Sequence, residues 1–198
     1  MTSVLIIGAH GQIARVATRL LLESTDAMLT LYLRRATRLD ALASNPRIRI
    51  VEGDATDAAA LNAAMTGQDV VYANLSGEMA RQARTIVASM QKAGVRRLIF
   101  VSSMGIYDEV PGQRYRSVLD PYRDSAVIVE NSGLDFTVIR PAWLNDDDEI
   151  AYGTTHESEP FANPSATVSR KSVGDLIVRL IANPGFGVGE SLGVHGTH

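Results

Sequence analysis

Short apolar runs recur along the chain, and each is followed by a stretch whose apolar positions fall at helical spacing. Val4-Leu5-Ile6-Ile7 reads as a fully buried strand, after which Ile13, Val16, Ala17, Leu20 and Leu21 share one helix face. Residues 29–33 predict a second strand, residues 38–43 a short helix closed by Asn45-Pro46, and residues 48–51 a third strand. Ala58, Leu61 and Met65 set a helix ending at Gly67. Residues 70–73 give a fourth strand, and Met79, Ala83, Ile86, Val87 and Met90 mark a long helix capped by Gly94. A fifth strand follows at 98–101. Asp120 then Pro121 reads as an N-cap with proline at the first helical position, and Gly133 as that helix's stop. Residues 136–139 are a sixth strand. Residues 145–168 lose the periodicity, and Val173, Leu176, Ile177, Leu180 and Ile181 form a last amphipathic helix. The glycine-rich tail suggests an edge strand near Leu192 to Val194.

Strands that are apolar throughout, alternating with helices, predict a parallel sheet covered on both faces. Right-handed crossovers then make a doubly wound, three-layer α/β fold the expectation. At 198 residues the chain suits one domain, and no linker divides it. Zero cysteines exclude disulfides, thiolate metal sites and cysteine nucleophiles. The net charge of −3 argues against nucleic acid, which selects a basic surface. No apolar run reaches the roughly 18 residues of a membrane span, and the first strand lacks a preceding basic region, so the expected compartment is the cytoplasm. Of the 19 cations only Lys92 and Lys171 are lysine, the other 17 being arginine.

Chemistry enters at Gly8-Ala9-His10-Gly11-Gln12-Ile13-Ala14, between the first strand and the first helix. Gly8 permits a tight turn and Gly11 a close approach of backbone to a diphosphate, which would lie on the helix N-terminus; Ala14 takes the place of a third glycine. Gly8, His10, Gly11, Gln12 and Ile13 are thus the expected cradle, His10 as a phosphate contact or a bystander in a loop of amides. About 20 positions on, where an NAD site expects a carboxylate for the 2′-hydroxyl, stand Arg34 and Arg35, with Arg38 one turn further. Guanidiniums suit a 2′-phosphate, so NADP(H) is expected over NAD(H), unless these are simply solvated cations at a strand end. Asp54, beside Ala55, can meet an adenine amino group or help cap the helix that starts near Asp57. Asn74 and Leu75 open a small-residue loop where the cofactor passes close to backbone.

These residues, together with Ala93-Gly94-Val95-Arg96-Arg97-Leu98-Ile99-Phe100-Val101-Ser102-Ser103 and Ser132-Gly133-Leu134-Asp135-Phe136-Thr137-Val138-Ile139-Arg140-Pro141, resemble the atypical short-chain dehydrogenase/reductases, nearest the NmrA-like, NAD(P)H-binding group. The resemblance runs over about residues 4–182. It implies a Rossmann domain over 1–198 with a small substrate-side segment at about 143–170. It also implies a nicotinamide flanked by Ser102, Ser103 and the Pro141-Ala142-Trp143 turn. The better-known members carry Tyr-x-x-x-Lys, in which the lysine tunes the tyrosine for proton transfer. Here the six tyrosines are followed four residues on by Ala36, Ser76, Pro111, Leu119, Ala126 or His156, never by lysine. Tyr122 matches the family's tyrosine position and Ala126 fills the lysine slot.

Hydride transfer without a strong protein acid is what remains. A quinone or flavin takes hydride with a proton from solvent or a hydroxyl, so Ser103 and Tyr122 are the candidate catalytic groups, Ser103 alternatively only closing its strand. The expected function is an NADP(H)-dependent oxidoreductase acting on a small flat acceptor. The alternative is a non-catalytic NADP(H) redox sensor that binds a partner protein. A homodimer is left open. Trp143 reads equally as pocket wall or core aromatic. No metal site is expected: Asp146-Asp147-Asp148-Glu149 reads as solvated carboxylates, and His195 with His198 as a frayed tail.

Overall fold

The computed structural model describes residues 1–197. Its centre is an eight-stranded sheet in the order β3-β2-β1-β4-β5-β6-β10-β8. The strands are β1 (Ser3–Ile7), β2 (Met28–Leu33), β3 (Ile48–Glu52), β4 (Val70–Ala73), β5 (Arg97–Val101), β6 (Asp135–Pro141), β8 (Tyr152–His156) and β10 (Glu190–Gly196). All neighbours are parallel except β10 and β8. A separate pair joins β7 (Trp143–Asn145) to β9 (Thr167–Ser169).

Helices cover both faces, as continuously apolar strands require. α1 (Gln12–Ser24) and α5 (Arg170–Ala182) pack together over Val4, Ile6, Leu29 and Leu31. α2 (Ala58–Met65), α3 (Met79–Ala93) and α4 (Asp120–Glu130) cover Leu5, Ile7, Leu98 and Phe100 on the other side. This is the α/β doubly wound, three-layer Rossmann arrangement. Because β2 lies on one side of β1 and β4 on the other, the crossover reverses there and opens a crevice at the strands' carboxyl ends.

Several local expectations change. The short helix after Arg35 is a 3₁₀ helix over Ala36–Leu42. Asp57, not Asp54, caps α2, its side chain accepting from the amides of Ala59 and Ala60. Asp120 is not an N-cap: Leu119 holds that position after a 3₁₀ turn at Ser117–Leu119, and the Asp120 carboxylate accepts instead from the Tyr115 hydroxyl and Arg123. The aperiodic 145–168 region contains β8 and parts of the β7–β9 pair. The tail is interior, because β10 slots between β6 and β8. His195 is therefore buried in the sheet rather than frayed, with Nδ1 3.0 Å from the Gly196 carbonyl. His198 lies outside the described residues.

Candidate functional site

The β1–α1 turn is fixed by its glycines. Gly8 has φ +77, and a Cβ there would stand 2.1 Å from the Asn74 carbonyl oxygen; on Gly11 it would stand 1.9 Å from the Asn74 side-chain nitrogen. The turn thus presses against the loop after β4, and both replacements would fill the floor of the crevice. No side chain caps α1 and its first turn holds no acid, so its N-terminal amides face the crevice unneutralised.

A cleft of about 470 Å³ runs from this turn to the ends of β2 and β3. Gly8, His10 and Gly11 line it at the turn, Arg34, Arg35 and Arg38 after β2, Asp54 and Ala55 after the neighbouring β3, and Asn74 and Leu75 after β4. Gly53 was missed from sequence: a Cβ there would stand 2.2 Å from the Tyr32 hydroxyl, which donates to the Asp54 carbonyl at 2.9 Å. Burial, then Asp57 and Asp54, push the Tyr32 hydroxyl up to about 12. The amide and hydroxyl of Thr56 donate to Oδ1 of Asp54, and with Arg34 nearby its carboxyl is held below the usual range. His10 is held below its ordinary 6.5 by partial desolvation, then by Arg38 and Arg15. Arg34, Arg35 and Arg38 make the β2 end of the cleft cationic, with the Asp54 carboxylate also among its lining.

A second cleft of about 410 Å³ shares Asn74 and Leu75 with the first. Ser102, Ser103, Tyr122, Pro141 and Ile13 line it, with Trp143, Leu144 and Arg170 at its outer side. Trp143 is 55% exposed, so it is pocket wall and not core. The Ser103 hydroxyl donates to the Met104 carbonyl at 3.2 Å, and the Ser102 hydroxyl to the Tyr122 carbonyl at 3.4 Å. Ala126, one turn below Tyr122, is fully buried in the core, so no cation stands at that place. Lys171 is engaged elsewhere, with Asp148 at 2.7 Å.

Gln12 alone among the expected cradle residues lines neither cleft; its Oε1 accepts from Nε of Arg170 at 3.1 Å. Arg170 also donates to the Asn145 carbonyl and pairs with Asp146. No sequence spacing announces this contact, since 158 residues separate Arg170 from Gln12. Among the described residues no group of three or more His, Cys, Asp or Glu comes together to hold a metal. Among them, too, no helix is long and apolar enough to cross a membrane.

A family model described as NAD(P)H-binding matches residues 8–184. A Rossmann-fold NAD(P)-binding family protein from Shigella flexneri is 40% identical, with a TM-score of 0.86 over 100% of this chain and 94% of its own. A short-chain dehydrogenase/reductase from Veillonella parvula, solved in complex with NADP, is 27% identical, with a TM-score of 0.90 over 99% of this chain and 95% of its own. The (4-alkanoyl-5-oxo-2,5-dihydrofuran-3-yl)methyl phosphate reductase of Streptomyces griseus is 28% identical over 139 residues, which are 70% of this chain and 46% of that protein. The chain therefore spans less than half the length of that curated relative.

Proposed function

The chain belongs to the NAD(P)H-binding family of atypical short-chain dehydrogenase/reductases, and from that premise we propose that it is an NADP(H)-dependent oxidoreductase acting on a small flat acceptor of quinone or flavin type. The observation that carries the coenzyme choice is the cluster of Arg34, Arg35 and Arg38 at the end of β2, where a 2′-hydroxyl reader would need a carboxylate. The residues fit the coenzyme: an uncapped helix N-terminus over a floor that a Cβ would fill, joined to a cationic recess.

Arg34 and Arg35 would hold the 2′-phosphate, Asp54 and Ala55 the adenine edge, and Gly8, Gly11 and the first amides of α1 the diphosphate. His10 would stand beside it. Asn74, Leu75, Ser102 and Pro141 would guide the nicotinamide end into the second cleft. When bound, the coenzyme supplies hydride there. The acceptor would lie against Trp143, and its oxygen or nitrogen would take a proton from the Ser103 or Tyr122 hydroxyl, which solvent then restores. With Ala126 in place of a lysine, the protein supplies orientation more than acid strength.

Three lines support an oxidoreductase: the family, the NADP complex of the Veillonella protein, and the reductase activity of the Streptomyces relative. The buried Ala126 favours the second reading, a sensor that binds NADP(H) and a partner protein without turnover. The experiment is NADPH oxidation followed against a panel of quinones, flavins and aldehydes. Turnover of a quinone or flavin is the expected result. Tight NADPH binding with every acceptor inert would replace the enzyme with the sensor.

A further inference from the structure

A strained turn begins two residues after Ser103, which lines the second cleft. Asp108 has φ +58, a region that costs a non-glycine residue energy, and Gly105 has φ +90. Such a turn persists only where its surroundings over-determine it. Two groups do so here. The Glu109 carboxylate accepts from the amides of Gly105 at 3.0 Å and Tyr107 at 2.9 Å. Arg123, in the first turn of α4 next to Tyr122, reaches back over the loop. Its Nε donates to the Ile106 carbonyl at 3.0 Å, and Nη2 to the Gly105 carbonyl at 3.0 Å and the Asp108 carboxylate at 2.9 Å. Nη1 donates to the Arg116 carbonyl at 3.1 Å and the Asp120 carboxylate at 3.2 Å. The guanidinium also lies 4.7 Å from the centre of the Tyr115 ring.

One planar fork therefore ties both ends of the 105–116 loop to the head of α4. The loop begins two residues after Ser103, and α4 begins two residues before Tyr122. We propose that Arg123 is a positioning residue of the nicotinamide-side cleft, holding the Ser103 strand end and Tyr122 at a fixed separation. The guanidinium lies outside the lining of that cleft, so it acts through these two residues. The proposal rests on the coenzyme-site reading above. Lysine cannot replace the fork, because an ammonium has no planar set of donors for three carbonyls on two chain segments.

The test uses the full chain with Arg123→Lys, Arg123→Gln and, as control, Asp108→Gly. Trp143 is the chain's single tryptophan and lines the same cleft, so energy transfer from it to the reduced nicotinamide of NADPH reports coenzyme placement. Both Arg123 variants are expected to bind NADPH in calorimetry within about threefold of the wild type while the energy transfer falls. With an acceptor that the wild type turns over, kcat is expected to fall on the order of 10- to 100-fold with KM for NADPH nearly unchanged. Asp108→Gly loses the ion pair but also the strain, keeps the backbone contacts, and is expected to retain the wild-type signal. If the Arg123 variants melt earlier but give wild-type transfer and kcat below their melting temperature, the residue is only structural and the proposal fails. A wild type that turns over no acceptor defeats the oxidoreductase reading alone; the Trp143 signal still decides the role of Arg123.

Discussion

Arg140 and Glu109 form an ion pair sealed from solvent, the arginine side chain 0% and the glutamate side chain 4% exposed. The arginine also donates to the Ser191 hydroxyl at 3.1 Å and the Ser191 carbonyl at 3.2 Å, and lies over the Tyr107 and Phe161 rings. It thereby joins β6 to β10 and to the 105–116 loop. Removing one partner of a buried pair strands the other charge, which costs about 3–5 kcal/mol. Glu109→Ala is expected to lower the melting temperature by on the order of 10 °C in calorimetric scans. Glu109→Gln combined with Arg140→Met removes both charges while leaving an amide oxygen to accept from the Gly105 and Tyr107 amides, and should recover part of that loss; a double variant no better than the single one would refute the account of the pair.

Gly8→Ala meets two obstacles, a left-handed backbone and the Asn74 carbonyl 2.1 Å from the new Cβ. Each is worth about 1–3 kcal/mol. Chemical denaturation should show that loss of stability, and NADPH binding should weaken at least about tenfold in calorimetry because the turn must shift off the diphosphate floor. An alanine variant with wild-type affinity would remove this turn from the site.

Arg34→Asp replaces a cation at the end of β2 with the residue type that reads a 2′-hydroxyl. Losing a charge-assisted hydrogen bond of about 1.5–3 kcal/mol should weaken NADPH about 10- to 100-fold and leave NADH equal or tighter. Unchanged affinity for both would mean that the 2′-phosphate lies elsewhere.

A protonatable ring at His10, in the lining of the first cleft, predicts a pH dependence of coenzyme binding. Its pKa is held below 6.5 in the fold by desolvation, Arg38 and Arg15, so the neutral ring is the favoured form. Its contribution to stability is complete above 6.5 and is lost as pH falls through the depressed folded value. A bound phosphate opposes the arginines and raises that value. NADPH binding should therefore take up more protons in the wild type than in His10→Asn, and the affinity of the wild type relative to that variant should increase as pH falls from about 7.5 to about 5.5. Titrations in buffers of different ionisation heat measure the proton directly.

What the sequence makes legible is what neighbouring residues encode. The β1–α1 glycine turn, the cap at Gly94 and the arginines after β2 are all local, and the structure brings Gly8, Arg34 and Asp54 to one cleft. The β10 insertion is not local. Gly193 stands there because a Cβ would come 2.7 Å from the Phe161 ring, a neighbour contributed by a segment with no periodicity. His195 reads as tail for the same reason, although its ring fills the space beside Gly153. Arg140 is visible only as a charge inside an apolar strand, with nothing to name Glu109 as its partner. Arg123 looks like an ordinary surface cation until the loop folds back across α4.

The most direct test of the central claim is a calorimetric titration of the purified full chain with NADPH and, separately, NADH. The account predicts one site per chain, with NADPH at least about tenfold tighter than NADH, as expected of one charge-assisted contact to the extra phosphate. Equal affinities would contradict the role given to Arg34 and Arg35, and no heat from either coenzyme would contradict the whole reading of the cleft.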